Sequence, residues 1–225
     1  MKTSSSLKGI RIIDLSMGWA GPLAARNLAD LGADVIKVES CENFDWWRSW
    51  EATQEWIDDD GAEKSPAFNS VHRNNRNITL DLSYKEGREL LLKLVGTANA
   101  VMENFSGGVL PKLDLSYEVF KKVKEDIILL SMHAFGSSGP WKMFRGYGST
   151  IEQSSGLPHV NGISSDLPMM HHVAYGDAVA GLNGVSALLI ALRHQAKTGK
   201  GQFIDLSQVE SLLPLVAHGI TEFTA

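Results

Sequence analysis

Short apolar runs alternate with helix-period segments along the chain, and that alternation restricts the fold more than any other feature. Residues 9–16, GIRIIDLS, read as a strand, and residues 21–32, GPLAARNLADLG, as a helix with Pro22 in its first turn and Gly32 as its stop. Strands follow over 33–39 (ADVIKVE) and 77–82 (NITLDL), then an amphipathic helix over 84–98. A strand over 100–105 (AVMENF), a helix over 116–125 and a strand over 126–132 (DIILLSM) continue the pattern. A long helix spans 177–199, a strand 201–207 (GQFIDLS), and Gln208 onward is helical. Strand–helix–strand repetition builds parallel βαβ units with right-handed crossovers, hence an α/β sheet flanked by helices. Ligands of such open sheets sit beyond the carboxyl ends of the strands. That directs attention to the loops 16–21, 40–76, 104–112, 133–149 and 160–177.

Composition narrows the class of function. With 225 residues, 44% of them hydrophobic, the chain can bury a large core. A net charge of −5 argues against a nucleic-acid surface, which carries a basic patch. The single cysteine, Cys41, has no internal disulfide partner, so a reducing, cytoplasmic setting is expected. The amino-terminal apolar stretch is broken by Arg11 and Asp14 and is not a signal peptide. The most apolar run, 185–192, is too short to span a bilayer, so no membrane partner is expected.

Several familiar motifs are missing. No G-x-G-x-x-G follows the first strand. The FGSSGP stretch (135–140) falls one residue short of a nucleophile elbow. The seven histidines show no helical H-x-x-x-H pair, and the adjacent pair at 171–172 is poorly placed to chelate one ion, so no metal site is expected. The 40–76 stretch is long for a loop and holds four of the six tryptophans. Loops of this length act as lids, interface arms or mobile segments.

Three stretches, 7–40, 72–113 and 175–211, together resemble the class III CoA-transferases (the CaiB/BaiF family), in the family's order and at its spacing. The resemblance implies a Rossmann-like large domain over 1–207 and a linker toward a smaller domain from 208 to 225. It also implies an interlocked dimer, in which each chain threads a ring formed by the other. The implied substrates are an acyl-CoA and a carboxylic acid acceptor, with no tightly bound cofactor.

The segment VAYGDAVAGLNG (173–184) places a lone carboxylate, Asp177, among glycine and alanine at the start of a helix. On its own, such an aspartate reads as an N-cap. The resemblance implies that it is the nucleophile that becomes an acyl anhydride and then an aspartyl-CoA thioester. Carboxylate nucleophiles split a hard acyl exchange into easier steps, and a helix N-terminus favours developing oxyanions. Gly176, Ala178, Ala180 and Gly181 are expected to leave room for the thioester.

The resemblance places CoA against Met17, Gly18, Trp19 and Ala20 after the first strand, and against Asn74, Asn75 and Arg76. It adds Asn104, Phe105, Lys112 and Leu113 for pantetheine and phosphates, with Arg145 and Tyr147 beyond the fifth strand. Where many members carry an arginine after the second strand's glutamate, this chain has Ser40, so the expectation is that this contact is either missing or supplied by Arg48 or Arg73. Racemases of the family carry a histidine in a GHD triplet; here the triplet is Gly146, Tyr147 and Gly148, which favours transfer over racemisation. Family members are longer, with a glycine-rich loop that closes over the intermediate, so a split or truncated enzyme is expected. A non-catalytic CoA-binding subunit and an acyl-CoA racemase or isomerase remain as alternatives.

Overall fold

The computed structural model describes residues 5–49, 53–162, 167–171 and 173–225. Strand β1 (Arg11–Asp14) leads into helix α1 (Ala20–Asp30) and strand β2 (Asp34–Glu39). The Trp-rich stretch then forms a 3-10 turn (Trp46–Arg48) and three short helices: α2 (Gln54–Asp58), α3 (Gly61–Lys64) and α4 (Pro66–His72). Strand β3 (Arg76–Thr79), helix α5 (Lys85–Val95) and strand β4 (Ala100–Glu103) follow. Next come α6 (Val109–Lys112), α7 (Tyr117–Val123) and β5 (Ile128–Ser131). The chain closes with α8 (Gly148–Ser154), α9 (Leu157–Val160), α10 (Tyr175–Thr198), β6 (Phe203–Asp205) and α11 (Leu213–Thr224).

All six strands are parallel, in the order β3-β2-β1-β4-β5-β6. Strand order reverses between β1 and β4, which opens a crevice at their carboxyl ends. The central strands β1, β4 and β5 are nearly continuous apolar runs because both sheet faces are covered there, whereas the edge strands β3 and β6 are largely exposed. One face packs Ile12, Val35, Met102, Ile128 and Leu130 against α1 and α10. The other packs Ile13, Leu15, Val101 and Leu129 against α5 and α7. Each fully buried Ile or Leu contributes about 1.5–3 kcal/mol. A third cluster, Ile151, Leu157, Val209, Leu212 and Val216, joins α8, α9 and α11, and its last three members dock the helical segment after Gln208.

Two expectations change. The 40–76 stretch is largely helical, because Thr53 and Ser65 cap short helices by accepting from the N–H groups of Trp56 and Phe68. The small residues around Asp177 serve packing rather than ligand access. Ala180 is in the core, a Cβ on Gly181 would stand 2.8 Å from Ala20 O of α1, and one on Gly176 would stand 2.7 Å from Ile151.

Helix α10 is long and apolar enough to cross a membrane by length and composition alone, which the 185–192 run understates. One side of the helix packs on α1 and the sheet, while Leu182 and Ile190 stay exposed. Near its far end, Gln195 is buried and donates from Nε2 to Asn99 O (3.1 Å) and Asp126 O (2.5 Å), pinning the helix to the segments that precede β4 and β5.

Candidate active site

The loop after β1 is held from two sides. Asn104, just past β4, accepts from the Met17 N–H and donates to the Met17 carbonyl, both at 2.8 Å. Its side chain thereby acts as a peptide group and bridges the strand-order reversal. Below the loop, the Gly18 N–H donates to Asp45 Oδ2 at 3.0 Å. Asp45 is fully buried beside Lys37 Nζ (3.4 Å) and His72 Nε2 (3.5 Å), and Lys37 also donates to Ser16 O. Burial pushes the Asp45 carboxyl up, but the His72 and Lys37 contacts outweigh it and hold the pKa below the usual carboxylate value. Gly18 has φ +74° and lies under Trp46, whose ring a Cβ would meet at 2.5 Å. Glycine is required there by backbone and by space.

Above this loop lies a cavity of about 460 Å³, lined by Met17, Trp19, Trp46, Asn104, Phe105, Ser106, Arg145, Gly146, Tyr147, Asp177 and Gln208. Trp46 stacks on Trp47 (5.1 Å between centroids) and meets Tyr147 edge-on (5.8 Å), forming an aromatic wall. Asp177 is the third residue of α10; the N-cap position belongs to Ala174, which makes no side-chain cap. Asp177 is therefore free of the capping role that its local sequence suggests. Burial raises its pKa to about 6 against the opposing pull of the Gly148 backbone N–H that faces it. A half-buried carboxyl with a pKa near neutrality, in a cleft, is the form a catalytic acid, base or nucleophile takes.

The cavity brings together Met17, Trp19, Asn104, Phe105, Arg145, Tyr147 and Asp177 of the residues expected from sequence. Phe105 and Leu113 also line an adjoining groove of about 320 Å³ with Leu15, Val38 and Leu80. Gly18 shapes the loop from beneath, and Ala20 is buried at the start of α1. Lys112 is exposed at the end of α6 and lines neither space.

Asn74, Asn75 and Arg76 are not brought to the cavity. They lie before and at the start of the edge strand β3, at its amino end, whereas the cavity lies at the carboxyl ends of the central strands. Arg76 pairs with Asp34, and Asn74 donates to Asp30 at 2.7 Å. The arginines expected to replace the one missing at Ser40 are also committed. Arg48 is buried between Glu39 and Glu63, at 3.0 Å from each, over the Phe68 ring, and Arg73 pairs with Asp30 at 2.5 Å. Trp50 and His172 lie outside the described residues. Among the described residues no group of three or more His, Cys, Asp or Glu side chains could hold a metal ion.

Sequence reasoning missed Ser106 and Gln208 as parts of the site, whereas Trp46 lines the cavity as part of the aromatic face that the tryptophans suggest. Gln208 is buried, donates to Met132 O at 2.7 Å, and so presents its carbonyl oxygen as an acceptor. Only the placement of Gln208 directly after the last strand could have drawn attention to it.

The model of "CoA-transferase family III" matches residues 7–225. The chain belongs to CoA-transferase family III. Family relatives include the succinate–glutarate CoA-transferase of Agrobacterium fabrum, 38% identical over 214 residues, covering 94% of this chain and 53% of that one. The human succinyl-CoA:glutarate CoA-transferase is 33% identical over 218 residues, covering 97% of this chain and 48% of the relative. The chain thus spans about half the length of the curated family members it matches. A crystal structure of a CaiB/BaiF family protein from Brucella suis superposes with a TM-score of 0.85 at 35% identity, covering 96% of this chain and 56% of that one.

Proposed function

We propose that this chain carries the nucleophile-bearing part of an acyl-CoA:carboxylate CoA-transferase, with Asp177 as the nucleophile. The supporting observation is the Asp177 carboxyl, raised to about 6 in a cavity at the strand-order reversal and facing the Gly148 N–H. At neutral pH the carboxylate attacks the thioester carbonyl of the donor. The C–S bond breaks, leaving an acyl–aspartyl anhydride and CoA thiolate. The thiolate then attacks the aspartyl carbonyl, releasing the donor acid and forming an aspartyl-CoA thioester. The acceptor carboxylate reverses the two steps and leaves as its CoA thioester.

Backbone N–H groups beside the Asp177 carboxyl stabilise the oxyanion that forms when thiolate or acceptor carboxylate adds to the aspartyl carbonyl. Gly148 supplies one of them. Short dicarboxylic acids are the acids we assign, because relatives are named for succinate and glutarate. Arg145, the cation among the cavity-lining residues, suits the second carboxylate of such an acid. Transfer is favoured over α-proton exchange because Asp177 has no histidine partner among those lining residues. We place the reaction in the cytoplasm, in a homo-oligomer or with a second chain, with residues 1–207 as the CoA-binding domain. Intact-protein mass after incubation with succinyl-CoA or glutaryl-CoA tests the reading. A CoA adduct that is lost in Asp177→Asn supports it, and absence of any adduct on a chain that binds CoA overturns it.

A further inference from the structure

Helix α8 touches the start of α10 at two points one turn apart. Its first residue, Gly148, faces Asp177 through its backbone N–H. Four residues on, Glu152 is fully buried. Its Oε1 accepts from the His171 backbone N–H at 2.8 Å and from His171 Nδ1 at 2.7 Å. The imidazole stacks on Tyr175, the first residue of α10, with centroids 4.7 Å apart. Asn161 Nδ2 donates to the remaining ring nitrogen at 3.1 Å. Residues four apart share a helix face, so Gly148 and Glu152 present to α10 together.

A fully buried carboxylate that spends one oxygen on two donors of a single residue is an uncommon investment for an ordinary loop contact. The helix it steadies has no side-chain cap of its own. Gly176 and Gly148 are also in close backbone contact, since a Cβ on Gly176 would stand 2.8 Å from Gly148 O. Any slippage of the 167–174 segment would therefore carry the first turn of α10 away from α8.

We propose that Glu152 and His171 form a positioning pair that holds Asp177 against the Gly148 N–H. Neither residue lines the cavity, so both act through the first turn of α10 rather than on substrate. The catalytic consequence rests on the reading of Asp177 as nucleophile; the structural consequence does not. The pair sets the distance between the nucleophile and the group that stabilises its oxyanion, and misplacement by about 1 Å costs about a hundredfold in rate.

The test uses the full chain with Glu152→Ala, His171→Asn and the conservative Glu152→Gln, each checked by thermal melting. The primary readout is the Gly148 amide resonance followed across the titration of Asp177. In the wild type its shift moves with Asp177, and in Glu152→Ala and His171→Asn that movement is expected to collapse. Glu152→Gln, which still accepts from His171, is expected to restore most of it. In turnover, kcat should fall about ten- to a hundredfold with KM for the acyl-CoA unchanged. A Gly148 shift that follows Asp177 equally in all variants overturns the proposal, as does an unaltered kcat in a folded Glu152→Ala. If Glu152→Ala does not fold, His171→Asn decides by the same two readouts. Failure of the transferase reading shows separately, as a wild-type chain that forms no adduct while its Gly148 shift still responds to the pair.

Discussion

A Cβ atom on Gly148 would stand 2.3 Å from Asp177 Oδ2, so the carboxylate occupies the space that any side chain at 148 would need. Gly148→Ala should therefore displace Asp177 or α8. The expected loss in adduct formation is about a hundredfold, with KM for the acyl-CoA little changed. Single-turnover mass spectrometry of the variant checks it, and a rate equal to wild type would remove Gly148 from the site.

Asp177 is raised from 3.8 to about 6 because burial penalises its charge. Adduct formation should then rise with pH through about 6 and level off above it, as more of the nucleophile is ionised. For stability the sign is opposite. The folded chain holds this proton more tightly than the unfolded one, so the contribution of Asp177 to stability is greatest at low pH. It declines as pH rises through the window from about 4 to about 6. Asp177→Asn should thus stabilise the chain at pH 7.5, on the order of 1–2 kcal/mol, and much less at pH 4.5. Calorimetry at both values decides, and an equal gain at each would show that burial does not perturb this group.

Asn104 ties down both backbone groups of Met17. Asn104→Ala leaves those groups without their partner and should cost about 1–3 kcal/mol in urea unfolding. It should also loosen the cavity wall and raise KM for the acyl-CoA, whereas Asn104→Gln, whose amide sits one methylene farther out, should not recover it. An Asn104→Ala variant of wild-type stability and KM would refute the clamp.

Lys37 and Asp45 are both fully buried, beneath the Gly18 turn. Removing one partner strands the other charge, so Asp45→Ala is expected to cost about 3–5 kcal/mol. Replacing both, as Lys37→Met with Asp45→Leu, should recover much of the stability without restoring substrate binding, because the Gly18 N–H loses its acceptor. Chemical unfolding and acyl-CoA titration of the single and double variants separate the two effects.

The central strands and the long helices were legible because parallel strands buried on both faces are apolar runs, α1 and α5 carry clear helical periodicity, and α10 is a long apolar segment with a glycine stop at Gly199. The short elements were not. Helix α8 reads GSTIEQS, with Ile151 as its one large apolar anchor, so no periodicity marks it. Helices α2 and α4 have only their caps to announce them, and α3 has no side-chain cap at all. Lys37 in the middle of a strand reads as a solvated charge, and only the fold brings Asp45 beneath it. Asp177 was legible as a residue of interest but its environment was not, because Gly148 and Glu152 reach α10 from a distant segment. The turn at 74–76 stands apart from the cavity, and its contacts from Asn74 to Asp30 and from Arg76 to Asp34 are ones that no local pattern reveals.

The anchoring of Gln195 sets the angle of α10 at one end, while the other end carries Asp177 against α8. The rod between them is roughly 27 Å long at 1.5 Å per residue, so one degree of tilt at the root swings the carboxylate by about 0.5 Å. That is about the whole tolerance of a productive catalytic geometry. Substitutions around Asn99, Asp126 and Gln195, far from any substrate, therefore act on the chemistry as angular errors at the base of a lever.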